Sequence, residues 1–121
     1  MVEKKNDICE RLFEFAVRVI EFLKTLPYSP KNKTIRTQLS KSACSFGANY
    51  EESQSGSSKA DFTNKVRISL REMRESNYWL RIIKRTVLEI NRTELDYLIK
   101  ESGELKSWQK LLSFVFFPIK A

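Results

Sequence analysis

The chain contains no histidine. That removes the commonest general base and metal ligand at neutral pH, and with it Ser-His and Cys-His pairs and the Glu-x-x-His sites of di-metal bundles. Its three glycines, Gly47, Gly56 and Gly103, stand apart, so no glycine loop is present to cradle a phosphate. Cys9 and Cys44, the only cysteines, lie far apart, match no metal or redox spacing, and read as small buried thiols of a reducing cytosol. Prolines occur only at 27, 30 and 118, which leaves residues 31–117 open to long helices. No apolar run approaches the ~20 residues a membrane span needs; the longest, residues 111–119, includes a Ser and a Pro. The apolar segment after Asp7 is interrupted by Glu10, Arg11, Glu14 and Arg18 and does not read as a signal peptide. Glu72 and Glu75 could hold a Mg²⁺ ion, but two carboxylates among arginines read as ion-pair partners. The expectation is a cytoplasmic protein that is not an enzyme and carries no cofactor or metal.

What is present is positive charge in one place. The formal charge is +7. Residues 1–30 and 93–121 are each neutral, residues 31–54 carry +2 and residues 59–92 carry +5. Localised basicity points to a patch, whereas uniform basicity would speak only to solubility. At 121 residues the chain is long enough for one domain with a real core.

Four helices account for nearly all of it. The first is read over residues 7–26, opened by the D-x-x-E pair Asp7 and Glu10 and closed before Pro27. The second runs over 30–54, with Pro30 in its first turn. Residues 55–58 form a Ser/Gly loop, and Ser58 with Asp61 opens a third helix over 59–91. Thr93 with Asp96 opens a fourth over 93–117, ended by Pro118. Short connections between long helices make neighbours antiparallel, so the predicted fold is all-α, an up-down-up-down four-helix bundle.

On the third helix two stripes run side by side. Phe62, Val66, Ser69, Met73, Ser76, Leu80, Ile83, Val87 and Ile90 form the inward seam. Arg67, Arg71, Arg74, Tyr78, Arg81 and Arg85, stepping by 4, 3, 4, 3 and 4, form an outer one. Ordinary outer faces mix signs, because like charges at i,i+4 cost a few tenths of a kcal/mol, roughly, per pair. Here only Glu75 is placed to relieve Arg71. The residues are arginines, suited to bidentate phosphate contact. Lys31, Lys33, Arg36 and Lys41 would extend the surface if helices two and three are adjacent.

A polar line on the second helix, Gln38, Ser42, Ser45, Asn49 and Glu52, has two readings: a buried layer that fixes helix register, or a line facing an oligomer axis or a ligand. Gly47 in a helix interior costs about 1 kcal/mol relative to Ala, which close helix packing would offset. The apolar content exceeds one bundle core: Phe13, Ile20, Phe22, Ile68, Leu70, Trp79, Ile82 and residues 111–117 add to the stripes. Either the core is wide or subunits bury the rest, and a homo-oligomer is favoured.

Residues 38–53 (QLSKSACSFGANYEES) resemble the signature of the bacterial four helix bundle protein family, also known as the 23S ribosomal RNA intervening-sequence protein family. Asp61, Phe62, Lys65 and residues 69–80 (SLREMRESNYWL) are similar to its second block, and residues 15–20 with Leu26 and Pro27 to its start. Cys44 and Phe46 stand where that pattern has small and aliphatic residues. The resemblance implies an antiparallel bundle, often a homopentamer, similar to the accessory proteins of diversity-generating retroelements, which bind nucleic acid and assist a reverse transcriptase. It carries over no catalytic residue.

Together these readings predict a homo-oligomeric basic bundle that binds RNA or DNA mainly through phosphates, as an accessory to a reverse transcriptase or in association with ribosomal RNA. The competing reading is a protein-interaction scaffold whose arginine strip pairs with an acidic protein partner.

Overall fold

The described residues form four α-helices: α1 Val2–Leu23, α2 Pro30–Gln54, α3 Lys59–Thr86 and α4 Arg92–Leu105. The structure, a computed structural model, describes residues 2–55 and 58–107, with side chains from Ile8 onward. α4 ends at Leu105, short of the expected residue 117: beside Gly103, a poor helix former, the Lys106 N–H closes on the Ser102 carbonyl and Ser107 is non-helical; the apolar residues 111–117 lie outside the described residues.

The helix ends follow local chemistry, and five differ from the sequence reading. α1 begins at Val2, upstream of Asp7. Residues 2–6 contain no Gly or Pro and include Glu and two Lys, good helix formers, so nothing stops the helix at the capping pair. It ends at Leu23; Lys24, Thr25 and Leu26 form tight turns back to Glu21, Phe22 and Leu23 ahead of Pro27. α2 occupies 30–54, with the Ser29 hydroxyl accepting from the Asn32 N–H and Pro30 at the helix start. Ser58 caps α3 by accepting from the Asp61 N–H. α3 stops at Thr86, short of residue 91: Thr86 and Val87 are β-branched, and Arg92 donates to the carbonyls of Lys84 and Val87. That frees Asn91, a better N-cap than Thr93, to accept from the Glu94 N–H and open α4. Asp96 pairs instead with Lys84 at 2.9 Å.

Specific contacts fix the topology. Leu12 meets Gly47 and the Leu23 carbonyl meets Arg36, so α1 and α2 run antiparallel. Ser42 meets Ser76 and the Phe46 carbonyl meets Ser69, reversing α3 against α2. Asn77 meets Ser102 while Lys84 meets Asp96, reversing α4 against α3. Arg11 meets Glu101 and Arg18 meets Glu94, closing the ring between α4 and α1. The order is up-down-up-down.

The core is wide. Ile8, Leu12, Phe15, Val19, Phe22 and Leu23 of α1 meet Leu39, Phe46 and Tyr50 of α2, Leu70, Met73, Leu80 and Ile83 of α3, and Leu95, Leu98 and Leu105 of α4. Trp79, Ile82 and Ile99 pack half-buried against it. This absorbs much of the apolar surplus; among the described residues Phe13 and Val17 of α1, Tyr78 of α3 and Tyr97 of α4 stay exposed on helix flanks, with Tyr28 and Leu88 at connections. The cysteines correct the sequence reading, because Cys9 is half-buried and Cys44 is exposed.

Candidate nucleic-acid interface

α3 holds the arginine strip straight because nothing in it breaks a helix for 28 residues. Val66, Ser69, Leu70, Met73, Ser76, Asn77, Leu80 and Ile83 are its buried side. The residues at the complementary angles are therefore outward: Arg67, Arg71, Arg74, Tyr78, Arg81 and Arg85 are all exposed. From 67 to 85 the strip covers about 27 Å at 1.5 Å per residue. Tyr78 is 52% exposed, edge-on to Trp79 at 5.7 Å, with the Arg81 guanidinium 5.8 Å from its ring centre.

The fates of the other arginines make these five distinctive. Arg11 binds Glu101 and Glu104, and Arg18 binds Glu94, each through two N–H donors. Hydrogen bonding to those carboxylates raises both guanidinium pKa values. Arg18 also lies 3.7 Å from the centre of the Tyr97 ring. Arg36 and Arg92 donate to main-chain carbonyls at helix ends. Arg67, Arg71, Arg74, Arg81 and Arg85 form no ion pair among the described residues. Glu75, the acid expected to relieve Arg71, instead accepts a hydrogen bond from the Trp79 indole at 3.3 Å. Glu72 is half-buried, and burial, with the Glu75 charge beside it, pushes its carboxyl above the ordinary value against the opposing pull of Arg71 and Lys41.

Of the strip, Arg81 adjoins the α3–α4 seam. The seam's marker is Asn77, a buried amide that donates to the Ile99 carbonyl at 3.2 Å and the Ser102 hydroxyl at 2.9 Å. The Asn77 Oδ1 accepts from Arg81 Nε at 2.9 Å and from Lys106 Nζ at 3.5 Å. Sequence reading missed Lys106 and Asn77. Asn77 adjoins a small polar seam residue, Ser76, which is a faint signal. Lys106 sits on another helix end and carries none.

The α2 cations are less uniform than expected. Lys31, Lys33 and Lys41 are exposed, but Lys41 neighbours Glu72 on the α2-facing flank, away from Arg81 and Lys106. Lys31 lines a shallow cleft of about 310 Å³ with Asn32, Thr86, Val87, Leu88 and Glu89 at one end of the bundle. Arg36 leaves the set: its guanidinium donates to the Leu23 and Leu26 carbonyls, closing the end of α1, and lies over Tyr28 at 5.7 Å. The polar line faces α3. Ser42 pairs with Ser76 at 2.8 Å and Glu52 with Lys65 at 2.7 Å, while Asn49 bonds back to Ser45 and Gln38 is half-buried. Among the described residues no group of three or more Cys, Asp or Glu side chains is placed to hold a metal ion, and no helix is long and apolar enough to cross a membrane.

The family model of the 23S rRNA-intervening sequence protein matches residues 4–113. The chain belongs to this family. A crystal structure of a protein of unknown function from the S23 ribosomal protein family of Bacteroides thetaiotaomicron is similar, with 34% identity over 91% of this chain and 96% of that one, and a TM-score of 0.78. No curated protein matches. Of the two residues that depart from the family pattern, Phe46 is fully buried in the core and Cys44 is exposed.

Proposed function

We propose that this protein binds nucleic acid through the phosphate backbone, with Arg67, Arg71, Arg74, Arg81 and Arg85 as the contacts and Tyr78 available to stack on a base. One observation carries the reading. The fold gives Arg11 and Arg18 carboxylate partners and Arg36 and Arg92 carbonyl partners, and leaves five aligned guanidinium groups without an ion pair among the described residues. No base-reading element accompanies the strip, so affinity is electrostatic and largely independent of sequence. Family membership supports RNA, and a role beside ribosomal RNA or a reverse transcriptase, over a free duplex-DNA binder. The protein acts as a homo-oligomer, a pentamer on family grounds, which multiplies the strip; exposed Phe13 and Val17 are the apolar surface for that contact. No catalysis is assigned to it.

The test is a gel-shift and salt-titration series with random RNA and DNA, comparing wild type with Arg71→Glu/Arg81→Glu at unchanged oligomer mass. Neutralising four to six phosphates gives a fall in log affinity of roughly 3.5–5 per tenfold rise in salt. The double variant should abolish the shift. Wild-type affinity insensitive to salt, or a variant that shifts as well as wild type, overturns the reading; in the second case the strip serves an acidic protein partner instead.

A further inference from the structure

Two cations meet where a carboxylate would be expected. Arg81 Nε and Lys106 Nζ both lie within 3.5 Å of the Asn77 Oδ1. An amide oxygen is neutral, so it orients the two groups without cancelling either charge. The nearby acids of α4 are committed elsewhere: Glu101 and Glu104 hold Arg11 on the opposite flank of the helix. Neither Arg81 nor Lys106 forms an ion pair among the described residues.

The amide itself is held firmly. Asn77 is 3% exposed, and its Nδ2 donates to Ile99 and Ser102 across the α3–α4 seam. Ser102 donates in turn to the Leu98 carbonyl at 2.8 Å. The chain of donors runs inward from the surface, so each bond polarises the next and the oxygen that receives the cations is fixed in place. Held side chains lose less freedom on binding a ligand than free ones do.

We infer that Arg81 and Lys106 form a clamp for one phosphate group, with Asn77 as its positioning residue. The inference rests on the nucleic-acid reading above and deepens it: one phosphate of the bound strand seats between α3 and the end of α4, and the other arginines line its path. A lysine at a helix C-terminus also favours the helix dipole, a role that would show in stability and not in binding.

The experiment measures RNA affinity against salt for wild type, Lys106→Ala, Asn77→Asp and Asn77→Asp/Lys106→Ala, with thermal unfolding as the check on folding. Asn77→Asp puts a carboxylate inside the clamp. It should lower the salt slope by about 0.9 and weaken binding roughly eightfold at 0.1 M salt, the contribution of one phosphate. Lys106→Ala should weaken binding in wild type and add nothing in the Asn77→Asp background. Unchanged affinity in Lys106→Ala, or a full further loss in the double variant, overturns the clamp while leaving the wider strip standing. If wild type binds no nucleic acid, the function reading fails on its own. The clamp is then decided by titrating pyrophosphate and following the Arg81 Nε–Hε NMR signal: a saturating shift that Lys106→Ala removes supports it, and no shift overturns it.

Discussion

Tyr50 is fully buried in the core, and its hydroxyl finds no hydrogen-bond partner among the described residues. Burial accordingly pushes the phenol above its ordinary pKa. A buried donor left unmade costs about 1–3 kcal/mol, while the ring supplies the packing. Tyr50→Phe should therefore stabilise the protein by about 1 kcal/mol in urea unfolding; a loss of stability would mean that the hydroxyl is engaged. Glu72 gives a pH signature. Its folded-state carboxyl is raised, by burial first and Glu75 second, so the folded state holds the proton more tightly than the unfolded one. Stability then falls as pH rises from the ordinary glutamate value through the raised one. Glu72→Gln should be more stable than wild type at pH 7, with the difference closing below the ordinary carboxylate range. Equal stabilities at pH 7, measured by urea titration, would contradict this.

Between elements, Gly47 marks the approach of α1 to α2. A Cβ placed on Gly47 would lie 3.6 Å from Leu12 Cβ and 3.8 Å from the Leu12 main chain, ordinary contact distances. The close approach of α1 and α2 thus does not require glycine, contrary to the compensation argued from sequence. Gly47→Ala should raise stability by up to about 1 kcal/mol through helix propensity; a drop in melting temperature would show that the helices cannot shift to accept a methyl. At the α2–α3 seam Ser42 donates to the Leu39 carbonyl and shares a hydrogen bond with Ser76, and Ser69 donates to the Phe46 carbonyl. A double-mutant cycle on Ser42→Ala and Ser76→Ala should show coupling of about 1 kcal/mol, since each alone leaves the other hydroxyl short of a partner.

For the molecule as a whole, the arginines of α1 and α3 divide into two jobs. Those on α1 hold α1 to α4, through Arg11 with Glu101 and Glu104 and Arg18 with Glu94. Those on α3 leave the surface charged. Arg11→Ala should lower stability by about 1–2 kcal/mol, the value of charge-assisted hydrogen bonds at a half-buried site, with no change in the salt slope of RNA binding. Arg67→Ala and Arg74→Ala should do the reverse, leaving the unfolding curve in place and reducing that slope. A variant of either class that moved both quantities together would break the division.

Helix identity, the inward stripe of α3 and the outward arginines were readable from the chain, because side-chain direction on a helix is set by a fixed period of 3.6 residues. Pro30 and the Ser/Gly stretch after Gln54 placed the two ends of α2, also from local chemistry. Which charges find partners was not readable. Arg36 and Arg67 look alike in sequence, yet one closes the end of α1 and the other faces outward, because pairing depends on residues brought together from other helices. Only the tertiary structure decided that Arg11 and Arg18 tie α1 to α4, that Ser42 meets Ser76, and that Lys106 meets Arg81 over Asn77. Contacts between distant positions follow from how the helices pack, and no local period encodes them.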